Sequence, residues 1–388
     1  MIEPPPGTSK IGSRSGPAEH LAARTPDGSV YGDPTVFSQE MERLFFRNWL
    51  CVGRAEQVPE PGEFFTQEVG SEGLAFVRGA DGTLHGFYNT CRHRGTRILT
   101  EPRGRALAAI TCPYHAWSYS LDGRLVGAGH TAELTNFRKE EFGLYPVRTE
   151  TWGGFVWANL DAEAAPLRTS IGGFIDRVGA IPLADLRVGG RQTYEVEANW
   201  KIVVENFSEC YHCAPVHPTL NRITPYSSGE NMNYFLRDGV RSKVAGGYMT
   251  FARDFTSMVS SGYTKRPPLP GATESDRHRV SYYVLFPNTF LSVHPDYLMV
   301  HRTWPHGPER STIENEFYFH PEAMAAPDFD PTDAVSLWDE INRQDWYVCE
   351  LAQKGSRSRV WHGGRYSEKE PLVHDFDRFY ADQMSTPG

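Results

Sequence analysis

The chain has no long hydrophobic run, no basic stretch and few cysteines. Its longest apolar segments fall well short of the roughly 20 residues that a membrane-spanning helix needs. Lysine and arginine number 39 against 48 aspartates and glutamates, a net charge of −9. Without a block of positive charge, nucleic acids and anionic membranes are poor partners. Six cysteines in 388 residues do not make a disulfide framework. The start, Met1-Ile2-Glu3-Pro4-Pro5-Pro6, lacks the charged beginning and apolar core of a secretion signal, so a reducing, cytoplasmic setting is expected. No Gly-x-Gly-x-x-Gly opens a helix after a strand, and Gly127-Ala128-Gly129 is an isolated turn. Nothing here predicts a nicotinamide site, so a redox role would need a separate electron source.

What is present fits two domains. Residues 1 to about 30, rich in proline, glycine and serine, read as poorly ordered. Asp33-Pro34 opens a short amphipathic helix through Phe37, Met41, Leu44 and Phe45. From about Trp49 to Leu160 short β-like runs alternate with turns such as Asp81-Gly82 and Asp122-Gly123. Asp161 to Pro182 reads as a linker with one short helix. Tyr226 to Arg279 is weakly patterned, and strands resume at 280–286, 297–304 and 311–319. The last strong element is a helix from about Thr332 to Lys354. The expected division is an N-terminal arm (1–45), an all-β domain (46–162) and a larger second domain (163–388).

Two segments of the β-like region carry the chemistry. Cys91-Arg92-His93 and Cys112-Pro113-Tyr114-His115 each pair one thiol with one imidazole, in turns flanked by strand-like sequence. Two Cys and two His suit a [2Fe–2S] centre with Cys on one iron and His on the other. They also suit tetrahedral zinc, although zinc fingers usually pair Cys with Cys and His with His.

A second cluster lies in Glu205-Asn206-Phe207-Ser208-Glu209-Cys210-Tyr211-His212, continuing to His217. Two imidazoles and a carboxylate leave open positions for O2 and substrate on a mononuclear iron. On a continuous helix His212 and His217 would stand about 140° apart, so the helix must end between them, and Pro215 is the expected break. In the C-terminal helix Trp338, Ile341, Val348 and Ala352 form an apolar stripe that includes Asp345. A carboxylate facing a core is costly unless paired or metal-bound, which makes Asp345 the candidate third ligand. Cys210-x-x-Cys213 lacks a second cysteine pair or a thioredoxin-like setting and reads as inert packing.

The Cys-x-His motif, 18 intervening residues, then Cys-x-x-His, followed by Trp117, Tyr119 and Leu121-Asp122-Gly123, resembles the Rieske domain of Rieske-type non-heme iron oxygenases. The resemblance extends from about residue 30 to the C-terminus. It implies an α+β chain, with a Rieske [2Fe–2S] β domain joined to a helix-grip catalytic domain whose antiparallel sheet wraps a long helix. It implies Cys91, His93, Cys112 and His115 as cluster ligands, and His212, His217 and Asp345 as ligands of a mononuclear Fe(II). By family spacing Glu209 bridges an iron histidine to a cluster histidine of a neighbouring subunit in a head-to-tail trimer. Glu205, on the same helical face two turns before His212, competes for that role, and Asn206 joins it beside the site. The resemblance further implies electrons from a separate NAD(P)H reductase, with or without a ferredoxin.

Aromatic residues of the later strands, Tyr282, Phe286, Trp304 and Phe317 among them, are candidates for a pocket holding a quaternary ammonium by cation–π attraction. Residues 285–289 and 345–355 resemble the branch acting on betaines, in which hydroxylation of an N-methyl group releases formaldehyde. Hydroxylation of an aromatic ring is the competing activity, and a Rieske electron carrier without chemistry of its own is the competing class. The residues after the β domain, with His212, His217 and Asp345, argue against a carrier.

Overall fold

The computed structural model describes residues 19–237, 240–252 and 254–385. The N-terminal stretch expected to lack order therefore lies outside the described residues up to residue 18, whereas Glu19–Ala22 and Ser29–Gly32 form short helices. Helix α1 (Pro34–Glu40) starts where expected: Asp33 accepts from the Thr35 N–H at 2.7 Å and Pro34 takes the first turn. It runs into a wider turn, Met41–Phe45, that buries Met41, Leu44 and Phe45 against Trp200, Phe376 and Phe379.

The first sheet is antiparallel and uses β1 (Leu50–Arg54), β2 (Glu63–Val69), β3 (Glu72–Arg78), β4 (Leu84–Tyr88) and β5 (Arg103–Arg105). The small strands β6 (Ile110–Thr111), β7 (Ser118–Tyr119) and β8 (Leu125–Gly127) form a separate three-stranded sheet. The chain then returns through β9 (Pro146–Trp152) and β10 (Phe155–Asn159), giving the order β1-β10-β9-β4-β3-β2-β5. Arg54 ties this unit to the segment Leu183–Leu186. Its buried guanidinium donates to the carbonyls of Gly153 and Leu186, both at 2.8 Å, and lies 4.6 Å above the Phe155 ring. Carbonyls and a ring face thus replace the water that a buried cation would otherwise lose.

Helix α2 (Leu167–Val178) occupies the expected linker and kinks at Ile171. The second sheet comprises β11 (Arg187–Val196), β12 (Glu230–Asn233), β15 (Val244–Thr250), β16 (Arg279–Leu285), β17 (Thr289–Val293), β18 (Leu298–Gly307) and β19 (Arg310–Phe319). A two-stranded ribbon, β13 (Leu236–Arg237) and β14 (Val240–Arg241), interrupts it. The order is β11-β19-β18-β17-β16-β15-β12, antiparallel throughout. Strands β16, β18 and β19 fall where the pattern predicts them. Strands β12 and β15 lie in the region that reads as weakly patterned. In β15 the pair Gly246-Gly247 hides the strand, because a Cβ at Gly247 would stand 2.1 Å from the Glu230 carbonyl oxygen.

The helices that carry the site pack on this sheet. Asn199 caps α3 (Trp200–Phe207) by accepting from the Lys201 N–H at 2.9 Å. Two short helices come next, α4 (Cys213–Val216) and α5 (Pro218–Ile223). The long helix α6 (Thr332–Ser356) begins at Asp330, which accepts from the Thr332 N–H at 2.9 Å, and lies against α3 and β11. Its buried residues are Ala334, Leu337, Ile341, Asn342, Trp346, Cys349 and Gln353. Ala352, predicted for the apolar stripe, is exposed, so the true seam runs a fraction of a turn away and leaves Asp345 at its edge. Helix α7 (Pro371–Ser385) covers Trp200 and Phe235 with Phe376 and Phe379. Among the described residues no helix is long and apolar enough to cross a membrane.

Candidate functional site

The two Cys–His turns share one backbone plan. Cys91 N–H donates to the Thr96 carbonyl, and Cys112 N–H to that of Trp117, both at 2.8 Å. Gly95 and Ala116, four residues after each Cys, return their N–H to the Cys carbonyl at 3.0 and 3.1 Å and sit at positive φ, 70° and 57°. A left-handed residue in each turn aims Cys and His at the same point. Cys91 and Cys112 are buried, whereas His93 and His115 are exposed with their Nδ1 atoms 3.1 Å apart. Trp117 stacks on His93 with centroids 4.9 Å apart. The Tyr119 hydroxyl, which spacing alone does not single out, lies 3.3 Å from Cys91 Sγ and accepts from the Arg92 N–H at 3.0 Å. Buried thiols beside exposed imidazoles fit a cluster whose sulfur side is sheltered and whose histidine side meets the surface.

The second cluster forms where α3 stops. That helix ends at Phe207, before either histidine. His212 and His217 flank the single turn of α4, and Pro215 lies within this turn rather than terminating a helix. The predicted break therefore exists but comes earlier, and His217, at φ −120° and ψ 70°, makes the second one. Asp345 reaches across from α6, and Oδ1 lies 3.2 Å from His212 Nε2 and 2.8 Å from His217 Nε2. Ligand atoms of the three residues lie within 4.8 Å of one another. Each imidazole is held from behind: His212 Nδ1 donates to Glu209 Oε1 at 2.6 Å, and His217 Nδ1 to Gln344 Oε1 at 2.7 Å. Both Nε2 atoms thereby turn toward Asp345, the geometry a metal ion needs. Burial opposes a charge on His212, yet hydrogen bonds to Asp345 and Glu209 outweigh it and raise its pKa to about 10. Burial would raise Asp345, and bonds from the two histidines instead lower it. The site favours a cation, and a metal ion entering it displaces the His212 proton.

A cavity of about 100 Å³ adjoins the three donors. Of the four aromatics predicted to line it, only Tyr282 does. Phe286 lies in the turn just past the end of β16 and packs on Phe379 and Trp200. Trp304 is buried and donates to Glu314 at 3.2 Å, and Phe317 is buried near Tyr297. Phe207, Trp338 and Trp346 form the aromatic wall instead, with His301 and Asn342. Trp338 and Asn342 precede Asp345 by seven and three residues, a helical repeat that was there to be read. Asn206 lines the cavity as expected, but Glu205 does not: it faces away and accepts from the Tyr31 hydroxyl at 2.8 Å. Because α3 ends early, Glu205 and His212 never share a helical face. Cys210 and Cys213, expected to be unreactive packing, are joined by a disulfide and line the cavity on either side of His212.

A β domain presenting two Cys–His turns, ahead of a domain that gathers two histidines and one aspartate beside a cavity, defines a Rieske-type non-heme iron oxygenase component. Residues 48–138 match the family model of the Rieske [2Fe-2S] domain, and residues 183–386 that of the ring hydroxylating alpha subunit (catalytic domain). The chain belongs to this ring-hydroxylating α-subunit family, and its cofactors are a Rieske [2Fe–2S] cluster and a mononuclear iron. It is 30 % identical to the glycine betaine monooxygenase oxygenase subunit of Chromohalobacter salexigens, over 96 % of this chain and 89 % of that one. It is 32 % identical to the carnitine monooxygenase oxygenase subunit of Escherichia coli K12, over 88 % and 86 %. The structure of the quaternary ammonium Rieske monooxygenase CntA with γ-butyrobetaine superposes with a TM-score of 0.77 at 26 % identity, covering 96 % of this chain and 100 % of that one. This chain is accordingly a terminal oxygenase component, of a family that draws its electrons from a separate reductase.

Proposed function

We propose that the protein hydroxylates an N-methyl group of a small quaternary amine such as a betaine, leading to N-demethylation. The observation that carries this reading is the cavity wall, which the aromatic rings of Phe207, Tyr282, Trp338 and Trp346 line beside the three donor residues. Aromatic rings attract a methylated cation that cannot donate a hydrogen bond. Relatives at 30–32 % identity carry glycine betaine and carnitine in their names, which supports the same class.

When bound, the cluster supplies single electrons and the iron supplies reductive activation of O2. His212, His217 and Asp345 would hold the iron, and Cys91, His93, Cys112 and His115 the cluster. Glu209 and Gln344 keep the two imidazoles in the tautomer that points Nε2 inward. The aromatic wall excludes water and orients one methyl group. In the overall reaction a C–H bond becomes C–OH, the second oxygen atom leaves as water, and two electrons and two protons are taken up. The resulting N-hydroxymethyl group then loses formaldehyde and a proton, leaving a tertiary amine.

We read 1–45 as an arm on the catalytic domain, 46–162 as the Rieske domain and 163–388 as the catalytic domain of a cytoplasmic homotrimer. His93 and His115 are exposed in the single chain, as is Tyr211 next to Glu209. A head-to-tail ring would cover both surfaces and bring Glu209 to the partner's His115. The structure of a similar quaternary ammonium Rieske monooxygenase bears on inter-subunit electron transfer in that enzyme. The deciding experiment supplies a surrogate NAD(P)H reductase and a panel of quaternary amines and aromatic acids. Formaldehyde from an amine supports this reading; a hydroxylated ring product without formaldehyde replaces it with aromatic hydroxylation.

A further inference from the structure

The disulfide between Cys210 and Cys213 closes around the iron ligand His212. The Cα atoms of the pair are 4.9 Å apart, and only Tyr211 and His212 lie between them. Hydrogen bonds hold the same turn. The Cys213 N–H donates to the Cys210 carbonyl at 3.1 Å, and the His212 N–H to Glu209 Oε2 at 3.2 Å. Cys213 Sγ stands 4.0 Å from His212 Nε2, the atom that faces Asp345. The two sulfurs differ in access. Cys213 is buried, whereas Cys210 is half-buried and lines both the cavity and an adjoining cleft of about 210 Å³, beside Tyr226, Glu368 and Lys369. A small oxidant or an attacking thiolate therefore meets Cys210 first. Cys51 and Cys349 are buried and do not line the cavity, and Cys91 and Cys112 belong to the cluster. In a reducing compartment a disulfide is usually transient, catalytic or redox-sensing rather than structural.

We propose that Cys210 and Cys213 form a reversible dithiol–disulfide clasp on His212, which holds ferrous iron more tightly when closed. The clasp depends on the iron site alone, whichever substrate enters the cavity. Hydrogen peroxide is the oxidant. The Cys210 thiol takes one oxygen atom from it, giving a sulfenic acid and one water, and the Cys213 thiol then displaces that oxygen as a second water. Two S–H bonds and the O–O bond break, one S–S bond forms, and the two electrons and two protons lost by the thiols pass to the peroxide. Two molecules of a monothiol such as glutathione reopen the bond and leave as their own disulfide. The first attacks Cys210 Sγ, with Cys213 as the leaving thiolate. Closure tethers both ends of the turn that carries His212, so the imidazole loses less freedom when it meets the metal.

The test uses the full-length chain with its cluster loaded and ferrous iron withheld, one sample treated with hydrogen peroxide and another with glutathione. Trypsin releases both residues in a single peptide, Ile202–Arg222, which contains no other cysteine. After alkylation of free thiols, mass spectrometry should find that peptide bridged in the first sample and doubly alkylated in the second. Ferrous iron, titrated anaerobically in competition with a chelator, should bind about tenfold more tightly to the bridged chain. Affinities that agree within error, tighter binding by the reduced chain, or a peptide still doubly alkylated after peroxide each overturn the inference. So does a difference that persists when Cys210→Ser and Cys213→Ser are combined, because the redox-sensitive group would then lie elsewhere.

Discussion

Asp345 supplies the one carboxylate of the three-donor cluster, and the Nε2 atoms of both imidazoles face it. Asp345→Ala is expected to lose the mononuclear iron while keeping the visible spectrum of the cluster, so that iron falls from about three to about two per chain. Unchanged iron would remove Asp345 from the ligand set. Gln344 has a different task. Its side-chain oxygen holds His217 Nδ1–H, so Gln344→Ala should leave the ligands intact but free the ring to turn. Weakening of ferrous affinity by about 10–100-fold is expected, measured by competition with a chelator, with rescue in Gln344→Glu. A carboxamide beside a ligand is invisible to a search for metal-binding residue types. It becomes legible only when α6 is laid against α4.

At the scale of elements, α3, α7 and the N-terminal segment meet over a buried group of charges. Glu205 on α3 accepts from Tyr31, Asp377 on α7 accepts from Tyr366 at 2.6 Å, and Lys201 pairs with Glu40. Burial, then the charge of Asp377, raises Glu205 well above the usual carboxylate range. Burial likewise raises Asp377 to about 7, hydrogen bonds from its neighbours only partly offsetting it. Unfolded, such carboxyls titrate near 4, so between about pH 4 and 7 these two groups bind more protons in the folded chain than in the unfolded one. The stability they contribute is therefore greatest at the acid side of that window and falls as pH rises through it, by an amount on the order of a few kcal/mol. Asp377→Asn should flatten the decline of Tm between pH 5 and 8. A decline equal to that of the unmodified protein would show that the proton is held elsewhere.

For the whole molecule the question is which cluster serves which iron. Exposed His93 and His115 on one domain, and Glu209 behind His212 on the other, suit transfer between subunits. Chains carrying His115→Ala and chains carrying Asp345→Ala should each be inactive alone. Mixed by unfolding and reassembly, they should regain about a quarter of wild-type turnover, since about one junction in four of a head-to-tail ring then pairs an intact cluster with an intact iron site. No recovery in mixed oligomers of verified composition would mean that electrons stay within one chain.

The chemistry of both centres was legible in the sequence because each is built on short, local spacings. Cys91–His93, Cys112–His115 and His212–His217 each lie within one turn or loop, whose geometry a few neighbouring residues determine. The strands β16, β18 and β19 were legible for the same reason, through their dense β-branched and aromatic runs. The cavity was not. Whether Tyr282 or Phe286 faces the iron site, and whether Glu205 or Glu209 stands behind His212, depends on where α3 and β16 end and on what packs beyond them. Those are matters of packing between residues as distant as His217 and Asp345, and no local pattern encodes them.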